Sequence, residues 1–276
     1  MANRFVCQRG VLHSIAVIPL SLFSRCPQTL VTPRKFVLFG TPIDRVTLDE
    51  AVHRIESFLD ARVPAIVCTP DTTAIWRAQR DQKLREVYSE ADLVTPDGMG
   101  VVWAGRLLGA PFQERVSGID LLEKLFSCGR ALKIFLLGGA PGVADQAAHK
   151  LSERYPNLQI VGTHHGYFRP SESDRITELI EAAQPDMVLV GLGVPRQELW
   201  MRANRQKIRT AVLMGVGGCF DVWAGARRRA PRSWQRVGLE WLYRLLQEPR
   251  RLARVSTIPL FVGQIALIKL AQLASD

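Results

Sequence analysis

Cysteine is sparse in this 276-residue chain. Cys7, Cys26, Cys68, Cys128 and Cys219 make an odd count, with no CxxC pair and no Cys/His ligand spacing. That pattern excludes a disulfide framework and a structural zinc site, and it fits a reducing compartment. No GxGxxG with a downstream acid occurs, which argues against NAD binding, and no GK[ST] follows a glycine loop, which excludes a P-loop. Internal repeats and low-complexity linkers are also missing. No apolar run is long enough to be a clear membrane span. Residues Val11–Phe23 follow Arg4 and Arg9 like a weak signal h-region but lack a small-residue cleavage site. Residues Ile258–Leu273 are interrupted by Gln264, Lys269 and Gln272, which suits a helix lying on a surface better than one crossing a bilayer.

What is present is a globular composition, 47% hydrophobic and 22% charged, with a net charge of +10. Such an excess points to an anionic partner: nucleic acid, anionic lipid or a phosphorylated substrate. The charge is concentrated. Between Asp221 and Ser256, Arg227, Arg228, Arg229, Arg232, Arg236, Arg244, Arg250, Arg251 and Arg254 face only Glu240 and Glu248, with Trp223, Trp234, Trp241 and Tyr243 interleaved. Arginine beside tryptophan, followed by an apolar helix, suits a phosphate-bearing membrane surface. Nucleic acid would use similar arginines but leaves the apolar tail unexplained.

Short apolar runs alternate with helical patterns from Phe36 to Val216. The fold class predicted is α/β: a Rossmann-like, mostly parallel sheet flanked by helices, with a basic helical C-terminal appendage. Residues 1–34 read as a poorly specified extension, 35–226 as the core and 227–276 as the appendage. Phe36–Gly40 reads as a first strand and Thr41–Asp44 as a turn. Thr47 with Glu50 forms a capping box. Ser117 with Asp120 looks like a second.

Candidate site residues fall where strands end. Leu93-Val94-Thr95-Pro96-Asp97-Gly98-Met99-Gly100 delivers a lone carboxylate, Asp97, to a strand-to-helix turn, where ligands bind open parallel sheets. Asp97 is either a general base or a helix cap. After Ala65–Cys68 come Thr69 and Asp71, placed equally well to bond a ligand or cap a helix. Arg115 precedes a helix start, where it either meets an anion or lies on the surface. Gly138 and Gly139 open a glycine-rich turn able to hold a phosphate against backbone N–H groups. His164 and His165 close a strand, and their alternation makes joint metal ligation improbable. Tyr167 either stacks on a base or packs. Gln197 sits in a first helical turn, in the crevice or solvated. Gly217-Gly218-Cys219-Phe220-Asp221 is another glycine turn, and Asp221 is counted with the substrate-binding candidates.

The stretches TPDGMGVVWAGRLLGAPFQERVSGIDLL, FLLGGAPG, GTHHGYF, DMVLVGLGVPRQELW, MGVGGCFDVWAG and RAPRSWQRVGLEWLYRLLQEPRR together resemble the WecG/TagA/CpsF glycosyltransferases, family 26. The resemblance runs from about Phe36 to about Arg254. It implies an inverting transfer of N-acetylmannosamine or a related hexose or uronic acid. The donor it implies is a UDP-sugar and the acceptor a sugar on undecaprenyl diphosphate, in cell-surface polysaccharide or teichoic-acid-type synthesis. It further implies a peripheral position on the cytoplasmic face of the membrane, possible homo-oligomers, no nucleic-acid partner, no cofactor and no metal. Asp97 then corresponds to the catalytic base, Thr69 and Gln197 to pocket residues, and Arg115 to an active-site loop arginine. Arg244, Arg251 and Arg254 correspond to appendage arginines that close over the site and bind diphosphate. Asp71 departs from the family, in which many members carry Asn there. No Asp-x-Asp triplet is present to hold a metal on the leaving diphosphate, so fixed cations or helix ends are expected to screen it. Two other classes stand beside this one: a dinucleotide oxidoreductase, which explains the alternating strands only, and a non-catalytic membrane or nucleic-acid adaptor, which explains the arginines only.

Overall fold

The computed structural model describes residues 35–209 and 212–274; the expected extension at 1–34 lies outside the described residues. The strands are β1 (Lys35–Leu38), β2 (Thr41–Asp44), β3 (Ala65–Cys68), β4 (Leu93–Val94), β5 (Leu132–Gly138), β6 (Leu158–His164), β7 (Met187–Gly191) and β8 (Val212–Gly215). The helices of the first half are α1 (Leu48–Ala61), α2 (Thr72–Ala78), α3 (Gln82–Glu90), α4 (Met99–Leu107), α5 (Gly118–Ser127) and α6 (Val143–Arg154). Those of the second half are α7 (Ser173–Ala183), α8 (Arg196–Asn204), α9 (Cys219–Trp223), α10 (Arg232–Arg236), α11 (Glu240–Gln247), α12 (Leu252–Val255) and α13 (Thr257–Leu273).

Six strands form a wholly parallel sheet in the order β4-β3-β8-β7-β5-β6. Because side chains alternate along a strand, each apolar run divides between two cores. Val67, Leu136, Leu189 and Met214 face one side, with residues of α1, α5, α6 and α9. Ile66, Cys68, Leu137, Val190 and Leu213 face the other, with residues of α2, α3, α4, α7 and α8. Phe261 and Ile265 of α13 belong to this second core, and Phe261 meets Phe39 edge-on at 5.3 Å. The apolar C-terminal segment is therefore pinned to the core by two side chains, while Leu260, Val262, Leu267, Leu270 and Leu273 remain exposed. By length and composition alone, Pro249–Leu273 is long and apolar enough to cross a membrane.

Two expectations change. Thr41–Asp44 is a strand, paired antiparallel with β1 in a separate hairpin. Phe39 and Gly40 turn between them with φ of 50° and 78°, the double positive φ of a tight hairpin. Asp44, fully buried, then accepts from the Val94 N–H at 2.8 Å and from Arg54 at 2.9 Å. Ser117 caps α5, but the Asp120 carboxylate accepts from the Ser117 hydroxyl instead of reaching back to the backbone. The Thr47/Glu50 capping box is present as expected.

Gly138 ends β5 with φ of 147°, and a Cβ there would lie 2.4 Å from the Gly191 carbonyl oxygen. Gly138→Ala is expected to destabilise the fold by about 2 kcal/mol or more through strain and forced displacement of β7. Denaturant unfolding measures it.

Candidate active site

A cleft of about 560 Å³ opens over the carboxyl ends of the sheet and is lined by loops following all six of its strands. Thr69 and Asp71 come from β3, Asp97 from β4, Gly139 from β5, Tyr167 from β6, Gln197 from the start of α8 after β7, and Asp221 from α9 after β8. The appendage supplies the remaining wall through Arg227, Arg244, Arg251 and Arg254. A second, more apolar chamber of about 180 Å³ lies between α4 and the appendage, with Met99, Trp103, Trp241, Ile258 and Val262 in its walls. Asp71, Asp97, Arg244, Arg251 and Arg254 line both.

The position of Asp97 is fixed by the backbone on either side. The Thr95 N–H extends the β3 ladder to Cys68 at 2.9 Å, and its hydroxyl donates to the Val116 carbonyl at 2.9 Å. Val116 N–H returns a bond to the Pro96 carbonyl at 3.0 Å. These contacts hold the carboxylate at the junction of the two chambers, partly accessible. Burial pushes the Asp97 carboxyl up to about 7; Arg115 and Arg244 oppose that shift, while Glu240 and Asp71 add to it. A carboxyl titrating near neutrality is suited to taking a proton during reaction.

Asp71 does cap α2, accepting from the Ala74 N–H at 2.8 Å and the Thr73 hydroxyl at 2.6 Å. Its other oxygen accepts from Arg254 at 3.1 Å, and Arg254 Nε donates to Thr73 at 2.8 Å. Burial opposes its ionisation, but Arg254 and these hydrogen bonds outweigh that and hold the carboxyl below its usual range. Two neighbouring carboxyls are thus driven in opposite directions, the pattern that separates a permanent anion from a working base.

Arg115 stays out of the larger cleft. Its guanidinium is committed to Asp120 at 2.8 Å and Glu240 at 2.6 Å, and it lines only the apolar chamber. Glu240 also accepts from Arg244 at 2.5 Å, and Asp120 from Arg229 at 2.6 Å. Core and appendage are therefore joined by alternating charges. Sequence reading missed Glu240 as the link in this network; it registered only as one of two acids among the arginines.

In the glycine turn after β5, Gly139 and Ala140 line the cleft, and the Gly139 N–H donates to the Gly191 carbonyl at 3.2 Å. Gly138 packs on the Gly191 backbone behind the cleft. Tyr167 is 73% exposed at the cleft rim, on a loop held by Arg196 through the Gly166 and Phe168 carbonyls at 2.7 and 2.8 Å. Gln197 is buried, and its Oε1 accepts from the Gly193 and Gly217 N–H groups at 3.2 and 3.1 Å. β6 ends at His164, so alternation does not separate His165, and the two rings lie 4.6 Å apart. Among the described residues no group of three or more His, Cys, Asp or Glu is placed to hold a metal ion.

Comparison with known proteins extends this geometry. Residues 36–275 match the Glycosyl transferase WecG/TagA/CpsF family. The N-acetylglucosaminyldiphosphoundecaprenol N-acetyl-beta-D-mannosaminyltransferase of Staphylococcus aureus strain MRSA252 is 33% identical over 239 residues, covering 85% of this chain and 93% of that protein. The protein of the same name from strain MW2 is 32% identical over the same extent. Since the match spans the sheet and the appendage alike, the chain belongs to the WecG/TagA/CpsF family of glycosyltransferases.

Proposed function

We propose that this glycosyltransferase moves N-acetylmannosamine or a closely related sugar from a UDP donor in the polar cleft to a hydroxyl of an undecaprenyl-diphosphate-linked N-acetylglucosamine. The acceptor enters by the apolar chamber, and the product serves cell-envelope polymer synthesis. The observation that carries this reading is the place of Asp97 in the walls of both chambers. Transfer joins two substrates at one carbon, and a base between them reaches the incoming hydroxyl from the side opposite the leaving group.

In the reaction the acceptor oxygen attacks the anomeric carbon as Asp97 takes its proton. The bond from that carbon to the β-phosphate oxygen breaks, and UDP departs with the electron pair. One carboxylate suffices for inversion, whereas retention through a covalent intermediate needs a nucleophile as well. Charge growing on UDP is met by Arg244, Arg251 and Arg254, whose planar forks suit phosphate oxygens. Tyr167 covers the uracil ring, and Thr69 and Asp221 contact the donor from the cleft wall. The exposed leucines of α13 rest on the cytoplasmic face of the membrane, which brings the acceptor diphosphate to the same arginines. Those arginines ring the cleft interleaved with acids, an arrangement unlike the open basic stripe that tracks nucleic acid.

Asp97→Asn tests the reading. It should lower turnover by roughly 10²–10⁴-fold while UDP binding persists; near-normal turnover would remove Asp97 from the role. In the wild type, kcat/KM should rise about tenfold per pH unit up to about 7 and then level, as the base loses its proton. The same shift has a stability consequence of opposite sense. A carboxyl whose folded pKa is raised lends stability below its unfolded pKa, and that contribution is lost as pH rises through about 7. Asp97→Asn should therefore melt higher than the wild type at pH 8, with the difference shrinking at pH 5.

The α13 surface is tested separately. Leu267→Glu with Leu270→Glu should abolish co-sedimentation with anionic vesicles and slow transfer to a vesicle-embedded acceptor. Transfer to a water-soluble, short-chain acceptor should persist; unchanged vesicle binding would contradict the membrane assignment.

A further inference from the structure

Behind the cleft, next to Gln197 in sequence, lies a carboxylate the reaction does not touch. Glu198 is 2% exposed, its Oε2 has no hydrogen-bond partner, and its Oε1 accepts from Gln197 Nε2 at 3.0 Å. Burial raises its carboxyl to about 7, so the folded protein gains little from keeping an acid there. Its surroundings suggest why it is kept.

A glutamine amide has two nearly isosteric ends, one accepting and one donating, and its orientation is set by its neighbours. Gln197 faces two donors, the N–H groups of Gly193 and Gly217. These belong to the loops after β7 and β8, both of which line the cleft. Flipped, the amide would aim N–H groups at N–H groups. The Glu198 Oε1 accepts from the Nε2 end, and that bond favours the amide orientation in which Gln197 Oε1 turns toward the two loops. The strand beneath leaves room for this: a Cβ on Gly215 would lie 2.8 Å from Gln197 Nε2.

We propose that Glu198 is a positioning residue that fixes the Gln197 amide, so that one oxygen latches the β7 and β8 loops together and preforms the nucleotide side of the cleft. The inference rests on the reading of that cleft as the UDP site, and it deepens it. It adds no contact to substrate; it reduces the ordering that substrate binding must otherwise supply.

Three variants test it: Glu198→Met, which keeps the volume and removes the acceptor, Gln197→Met, and the double variant. Amide hydrogen exchange at Gly193 and Gly217 should quicken in all three, and the UDP dissociation constant should rise about tenfold or more. The double variant should be no worse than Gln197→Met alone, since Glu198 acts through Gln197. Glu198→Gln, which can still accept from Gln197, should stay within about threefold of the wild type in UDP affinity. If Glu198→Met fails to fold, Glu198→Asp withdraws the acceptor by one methylene and should show the same quickened exchange. Unchanged exchange in Glu198→Met or Glu198→Asp, or effects that simply add in the double variant, would overturn the proposal. Failure of the wild type to bind UDP would instead sink the functional reading, and the exchange arm would still decide on the latch.

Discussion

The structure depends on a carboxylate kept largely out of water where two differently lined chambers meet. Burial is what raises the Asp97 carboxyl toward neutrality, and the short β4 strand is what holds it there. That strand has only two residues, so its position is secured from outside. Asp44 takes the Val94 N–H, Arg54 bridges Asp44 and the Asp92 carbonyl, and Thr95 ties the following turn to Val116. The small β1–β2 hairpin, outside the cleft lining, therefore helps position Asp97.

Charge complementarity then ties the loops beside Asp97 to the C-terminal helices. Arg115, Glu240 and Arg244 form an alternating chain, as do Arg229, Asp120 and Arg115. Buried or half-buried pairs of this kind add little net stability but strongly penalise loss of one partner. Their effect is to specify one placement of the arginine-rich helices over the cleft. Asp71 extends the same logic to Arg254, so the guanidinium groups of the cleft wall are held in place, each sharing its charge with an acid.

Much of the fold was legible because parallel strands and helical periods leave distinct traces. The runs Ala65–Cys68 and Met187–Gly191 read as buried strands, and Thr47 with Glu50 read as a helix start. Thr41–Asp44 was misread because Thr, Pro and Asp are turn formers, and nothing local shows that a hairpin partner lies two residues back. In the site, Asp97 stood out by its glycine-flanked place after an apolar strand. The fate of Arg115 did not, since its partner Glu240 is 125 positions away. A first helical turn leaves Gln197 open between crevice and solvent, and its bonding to two glycine N–H groups depends on loops brought together by the sheet. Glu198 had no signal at all beyond being an acid in a helix; only its burial sets it apart.

The stereochemistry of the product probes the arrangement most directly. With an α-linked UDP-sugar as donor and a lipid-diphosphate-linked sugar as acceptor, the coupling constant and carbon shift of the new anomeric centre report its configuration. A single base facing the acceptor, with the leaving diphosphate on the other side, gives a β-linked product. An α-linked product would mean retention, through a covalent intermediate or by attack from the leaving-group face, and would contradict the account.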